Sequence, residues 1–499
     1  MKKVLLINPA ESTPGWPTTP RAVEPMGLLY VAGAFQEIGV ETTLLDLQLG
    51  FGDQEEIYRG IARSEYSAAG IALASQACVW DALKIAQDLK NLNPDLPIFS
   101  GGVFASLNPE WVLDTTPAID FVVIGEGEPF VTEFVLDPGN WKQIPNVRYR
   151  GQLLHQGNLP ATTLSRPHIR PDRSLTFEVI KRGEAPSVVA TRGCGGGCTF
   201  CCISHYYGSS WQSREVGEVH QEIEDLVRNF GVRRIHLVDD NLFGHSRGAK
   251  EWVRSFITAM KNFDPPLRFK TTCRLDDLDE HLIPDIKRAG FDLLKIGIET
   301  FSRKTQKVYH KGMLRYKAEA KLDALLKTGI NVSLGFIMFD PYCSLRDIEE
   351  NLEFLLNYPD CWGRHLLRSK LVAYQNTPII ASLQKDGLAL ESGILGVSWR
   401  FQDQKVADFH RRFEAMLRGR ILPLEWEYFH HQRSLLRQGF DPPRSAEIDA
   451  LFKNCWIDIF TGTLKHQRPS SSLENRLLDL TSLVEEYGQS TPSIPIAEN

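Results

Sequence analysis

Residues 191–202, TRGCGGGCTFCC, hold four of the nine cysteines in a 499-residue chain, and Cys194, Cys198 and Cys201 are spaced C-x3-C-x2-C. Three thiolates on one short loop can occupy three corners of a cubane iron–sulfur cluster, with Gly195, Gly196 and Gly197 letting the backbone fold closely around a bulky anion. A fourth iron then stays open to an outside ligand, much as a catalytic metal keeps a vacant position. Structural zinc would want a fourth donor. Cys202 adjoins Cys201 and cannot easily reach the same ion, which leaves His205 for that alternative.

The elements around this loop must position it. Before it, KVLLINP, TTLLDL, AAGIALAS, LPIFSGG and DFVVIGEGE read as strands, and PMGLLYVAGAFQEIG and DALKIAQDLKNL carry apolar residues at helical spacing. That alternation predicts a doubly wound parallel sheet, a Rossmann-like domain over 1–135. Ligands of such sheets lie beyond the carboxyl ends of the strands, so Asn8, Ser75, Gly101, Gly102, Gly125 and Gly127 would border one crevice. Residues 136–185 show little periodicity and read as a connector.

From SVVATRG onward about six βα repeats follow, through RRIHLVDDN, LRFKTTCR, DLLKIGIET, NVSLGFIMFD and HLLRSKLVAY. Such a series closes into a (βα)6-type partial TIM barrel over 186–377, with its chemistry on the loops after the strands. Residues 378–484 turn helical and form a substrate or lid domain; 485–499 read as a disordered tail. The helical region interleaves Arg411, Arg412, Arg418, Arg420, Arg433 and Arg437 with Phe409, Phe413, Trp426, Tyr428 and Phe429. This is either a pocket for an anionic or peptide substrate or a solvated face opposite an apolar one.

Composition narrows the class. With 42% hydrophobic and 24% charged residues and a net charge of −6, no global basic field draws the chain to nucleic acid. The apolar run of MKKVLLINPA stops too early for a signal peptide, and no stretch approaches membrane-spanning length. The expectation is a cytoplasmic protein in which clustered thiols serve metals or catalysis.

The segments ATRGCGGGCTFC, REVGEVHQEIEDL, IHLVDDNLFG and RLDDLDEHLIPDIKRAGFDLLKIGIETFS, in βα-barrel order, resemble the radical S-adenosylmethionine (SAM) superfamily. The resemblance covers roughly residues 1–375 in the branch with an N-terminal cobalamin (B12)-binding domain. It implies a [4Fe–4S] cluster on Cys194, Cys198 and Cys201, whose open iron binds the amino and carboxylate groups of SAM. An electron from the cluster cleaves SAM to a 5′-deoxyadenosyl radical that takes hydrogen from substrate. Carried over by position, Phe200 is the aromatic beside the last cluster ligand. Asp239 and Asp240 stand where the family contacts the methionyl amino group, and Arg274 and Glu299 are candidates for carboxylate and ribose contacts. Each of these four also reads as a cap or ion pair at a strand end.

The same resemblance implies cobalamin, through PMGLLYVAG, SGGVFAS and the Gly125-Glu126-Gly127 turn of VIGEGE, with Ser75, Ser100 and Ser106 as hydroxyls for its nucleotide tail. No Asp-x-His-x-x-Gly motif supplies a lower ligand to cobalt; Gln48 has a merely similar setting. A ligand-free Rossmann-like lid is the alternative for this domain. Where many relatives have a Gly-Pro turn after the fifth strand, this chain has Asp340-Pro341 followed by a cap at Ser344.

The expected activity is C-methylation of an unactivated carbon in a natural-product or peptide substrate, with an external electron donor such as flavodoxin or ferredoxin. The alternative is a radical epimerase or rearrangement enzyme without cobalamin, needing a thiol such as Cys343 or Cys273 to return a hydrogen atom. A methylthiotransferase would need three further cysteines in the first domain, which has only Cys78. A simple electron carrier would not need two large α/β modules.

Overall fold

The computed structural model describes residues 1–11, 23–152, 169–393, 396–437, 444–465 and 471–489. Its first sheet has six strands: β1 (Lys3–Asn8), β2 (Glu41–Asp46), β3 (Ala68–Ala72), β4 (Ile98–Gly101), β5 (Phe121–Val123) and β6 (Val147–Tyr149). They lie in the order β2-β1-β3-β4-β5-β6, all parallel except β6, which runs antiparallel to β5. Strand β6 falls in the stretch read as a connector, because three residues, VRY, are too few to show a period. Through β6 that stretch extends the first sheet, a helix follows at Thr176–Lys181, and residues 153–168 lie outside the described residues.

Alternation along β1 explains the layering. Leu5 and Ile7 enter one apolar cluster with Ile71, Leu83 and Ile98; Val4 and Leu6 enter another with Leu29, Phe35, Phe99 and Phe121. Both faces are covered, as a parallel sheet with crossover helices requires. The strand order reverses direction between β1 and β3, the position where doubly wound sheets open a ligand crevice.

The second sheet holds β7 (Ser187–Val188), then β10 (Arg234–Leu237), β11 (Arg268–Arg274), β12 (Phe291–Glu299) and β13 (Asn331–Phe336), in the parallel order β13-β12-β11-β10-β7. Between β7 and β10, β8 (Thr191–Gly193) and β9 (Trp211–Ser213) pair antiparallel and bracket the cysteine loop. The expected sixth barrel strand is reduced to one parallel bridge, Phe339 to Lys370. Its first residues form a turn of 3-10 helix, Arg364–Arg368, instead. Its last residues turn toward the hairpin of β14 (Ala389–Gly393) and β15 (Gly396–Trp399), which Ala373 meets through a bridge to Val397.

Helices Gln404–Arg420, Leu422–Arg437, Ser445–Leu464 and Ser471–Gln489 complete the chain. Phe409, Phe413, Trp456 and Phe460 join the core of the second sheet around Phe339. The tail expected from 485 is helical to Gln489, and residues 490–499 lie outside the described residues. Arg411 and Arg418 are 76% and 72% exposed and paired along their own helix to Asp408 and Glu414, the solvated-face pattern. The side chains of Arg433 and Arg437 lie outside the described residues.

Candidate functional site

The cysteine loop is fixed from four sides. Gly193, at φ +80°, lies so close to the Ser210 carbonyl that a Cβ would sit 2.4 Å from its oxygen, so only glycine fits there. Thr199, between the second and third cysteines, donates its amide to Tyr309 O (3.1 Å) and its hydroxyl to Val308 O (2.7 Å), and accepts from the Ile379 amide (3.0 Å). Phe200 packs on Tyr309 with ring centroids 4.6 Å apart.

Asp239, fully buried, accepts from the Ala190 amide (3.0 Å), the Thr191 amide and the Thr191 hydroxyl (2.8 Å), all on one oxygen; its other oxygen has no partner. Burial pushes its carboxyl up to about 7. Asp239 is therefore turned onto the backbone leading into the loop, away from the crevice. Asp240, next in sequence, faces the other way and lines the crevice, taking a hydrogen bond from the Gly193 amide; burial pushes it up to about 6.

The fourth side is Arg274, at the end of β11. Its Nη1 donates to Cys198 Sγ at 3.0 Å, and its guanidinium lies against Gly196, where a Cβ would meet it at 2.4 Å. Arg274, the candidate for a cofactor carboxylate contact, thus meets a cysteine sulfur at the mouth of the loop. Glu299 ends β12 beside a bulge, at φ +72°, a conformation that costs a non-glycine residue energy. It accepts from Lys311 Nζ at 2.9 Å.

All nine cysteines are free, and burial pushes the Cys194 and Cys201 thiols up. Among the described residues no three His, Cys, Asp or Glu side chains converge as one metal ion needs. Zinc would require its donors within about 2.3 Å of one point. A cluster attaches each thiolate to a separate iron, and the glycines between the first two cysteines leave room beside the sulfurs for a bulky anion.

Next to the loop a cavity of about 410 Å³ lies between the two sheets. The first sheet contributes Asn8, Gly101, Gly102, Gly125, Glu126 and Gly127; the second module contributes Thr191, Arg192, Tyr206, Tyr207 and Asp240. Gly102, at φ +107°, lets the backbone pass the Leu73 carbonyl, which a Cβ would approach to 2.8 Å. Ser75 does not line the cavity; its hydroxyl accepts from the Ala77 amide at 3.3 Å. Ser100 donates to Ile71 O (3.0 Å), and Ser106 accepts from the Gly125 amide (3.0 Å), so these hydroxyls serve the fold. No histidine lines the cavity among the described residues, and Gln48 donates to Pro9 O (3.1 Å).

Sequence reasoning missed Arg192. Its guanidinium bridges Glu126 (2.7 Å) and Glu128 (2.6 Å) and lies 4.7 Å from the Tyr30 ring centroid. Tyr206, just past the cysteines, hydrogen-bonds Ser106, which holds the same turn from behind. The cluster loop and the Gly125–Glu128 turn are thereby tied on both flanks. The two charges in VIGEGE, in an otherwise apolar run, were the available signal.

Cys273 and Cys343, expected to face the site, are not brought to it. Cys273 points into the core beneath the helices, and burial pushes it up to about 12; the Cys343 thiol donates to Asp340 O at 3.1 Å. Successive strand residues point to opposite faces, so Cys273 and Arg274 cannot both look inward. The Ser344 cap forms as expected, within a capping box with Asp347.

The radical SAM superfamily pattern matches residues 188–355, and the B12 binding domain pattern matches residues 18–135. The chain carries a radical SAM domain and a B12-binding domain. An uncharacterized methyltransferase of Pyrococcus horikoshii is 25% identical over 369 residues, 71% of this chain and 77% of that protein. The anaerobic magnesium-protoporphyrin IX monomethyl ester cyclase of Synechocystis is 25% identical over 321 residues, 62% of this chain and 63% of that protein. The cobalamin-dependent S-adenosylmethionine radical enzyme OxsB, solved with aqua-cobalamin and S-adenosylmethionine bound, shares the fold. Its TM-score is 0.77 at 18% identity, over 97% of this chain and 75% of that chain. No helix among the described residues is long and apolar enough to cross a membrane.

Proposed function

We propose that this protein is a cobalamin-dependent radical SAM enzyme that methylates an unactivated carbon of a small-molecule or peptide substrate. The observation that carries the reading is the shared cavity: the strand ends of the B12-binding domain and the residues flanking the three cysteines line one space. Two cofactor sites that open onto each other allow one to generate a reactive carbon and the other to supply its new bond. When bound, the groups supply one-electron reduction, hydrogen-atom abstraction and a transferable methyl group.

The chain's own residues hold and orient them. Cys194, Cys198 and Cys201 bind three irons. Asp240, presented to the crevice, accepts from an amine. The glycines at 101, 102, 125 and 127 let a nucleotide tail approach the backbone, and the apolar lining from Leu6, Val31, Ile71 and Phe130 excludes water from a reactive intermediate. The electron comes from an external donor such as flavodoxin or ferredoxin, in the reducing cytoplasm that nine free thiols suit. Burial of Cys273 and Cys343 gives no support to a hydrogen-returning thiol.

The test is anaerobic reconstitution with iron, sulfide and hydroxocobalamin, followed by a mass-shift screen with methyl-labelled SAM. Corrinoid absorbance that co-purifies, and a labelled methyl group in product, support the proposal. Protein that binds no corrinoid, yet turns SAM over in a manner abolished by Cys343→Ala, contradicts it.

A further inference from the structure

Arg274 is held by more than its sulfur contact. Nη2 meets Asp276 at 3.3 Å, Nε meets Asp277 at 3.6 Å, and the backbone amide donates to Asn241 Oδ1 at 3.0 Å. Asp277 is in turn fixed by Asn241 (2.8 Å) and His245 (2.8 Å). The side chain is only 14% exposed. These anchors engage Nε and Nη2 of the guanidinium and leave Nη1 directed at Cys198, with the missing Cβ of Gly196 providing the room. A cation so fixed and so little exposed reorganises little when the charge beside it changes.

We propose that Arg274 tunes the reduction potential of the cluster through its hydrogen bond to the Cys198 sulfur. The inference rests on the cluster reading above. Hydrogen bonds to the sulfurs and net charge are among the determinants of a cluster's potential. One-electron reduction adds a negative charge to the cluster and its thiolates. A charge-assisted N–H···S contact gains strength with that charge, so Arg274 stabilises the reduced form over the oxidised one. Asp276 and Asp277 oppose this, but they contact Nη2 and Nε, not the Nη1 that meets the sulfur, and Asp277 is also bound by Asn241 and His245. The contact at 3.0 Å therefore dominates, and a neutral residue at 274 leaves the cluster harder to reduce.

The experiment uses full-length protein, anaerobically reconstituted and titrated with redox mediators while the reduced cluster is followed by electron paramagnetic resonance. Arg274→Gln is expected to carry wild-type iron and sulfide yet show a tenfold lower ratio of reduced to oxidised cluster at the wild-type midpoint, a negative shift of about 59 mV for one electron. Arg274→Lys, which keeps the charge without the fork, restores part of it. In wild-type protein containing guanidinium-labelled ¹⁵N-arginine, the reduced cluster is expected to show a ¹⁵N hyperfine coupling, a readout that needs no variant to fold. A fully loaded Arg274→Gln with the wild-type potential overturns the proposal, as does a labelled wild-type cluster without that coupling. Failure of the cluster reading looks different: the wild-type protein itself takes up no four-iron centre.

Discussion

The two parallel sheets are built from similar βα units yet bury their strands differently. Five of the six residues of β1 and all three of β5 are buried, and the two faces of that sheet feed separate apolar clusters. In β11 and β13 every second residue is buried, while Lys270, Thr272, Arg274, Ser333 and Gly335 alternate with them on the inner face. The first sheet can function only at its edge, where strands end in glycine turns. The second keeps one whole face polar and available, which is what an open barrel offers a reacting ligand. The site forms where that available face meets the first sheet's edge.

Severing this junction should have the largest effect. Arg192→Met leaves Glu126 and Glu128 facing each other without their shared cation. Loss of one partner from a poorly solvated pair costs about 3 kcal/mol or more. The expected outcome is corrinoid affinity weakened at least tenfold, read by equilibrium dialysis, with the isolated cluster spectrum unchanged.

The contrast between the sheets is itself measurable by denaturant unfolding. Leu5→Ala, in a side chain with no exposure, should lose about 2–5 kcal/mol. Thr272→Val, on the inner face of β11, should stay within about 0.5 kcal/mol. Equal losses would erase the distinction.

Asp239 gives the junction a pH signature. Its carboxyl titrates near 7 when folded and near 3.8 when unfolded. The folded state therefore holds the proton more tightly, so this group's contribution to stability is present at low pH and falls as pH rises from about 4 to about 7, by a few kcal/mol at most. Asp239→Asn, which keeps an acceptor for Ala190 and Thr191, should flatten that slope in thermal unfolding of the apoprotein.

The smallest effects are expected at the thiols outside the loop. Cys273→Ala and Cys343→Ser should each change turnover by less than about threefold, since neither sulfur reaches the cavity and substitutions away from special features are mild. A loss of a hundredfold at Cys343 would move the account toward hydrogen exchange.

Much of this organisation was legible in the sequence. The cysteine spacing marked the loop, and apolar runs ending in glycine marked the crevice, because both depend on neighbours in the chain. Three things were hidden. The pairing of Arg192 with Glu126 and Glu128 spans more than sixty residues and has no local pattern. The sixth barrel strand had the right residues but gave way to a turn and a single bridge where its end meets the β14–β15 hairpin. Side-chain direction at Cys273 and Arg274 depends on which face of β11 turns inward, and at Asp239 and Asp240 on the turn that follows β10, neither of which a short run of residues reveals.

The most direct measurement of the central claim is iron, acid-labile sulfide and cluster resonance in oxygen-free protein, wild type against the triple variant Cys194→Ala, Cys198→Ala, Cys201→Ala. The account predicts one four-iron cluster whose resonance changes when SAM is added, and none in the variant. A wild-type protein without such a cluster, or a variant that retains it, would contradict the account.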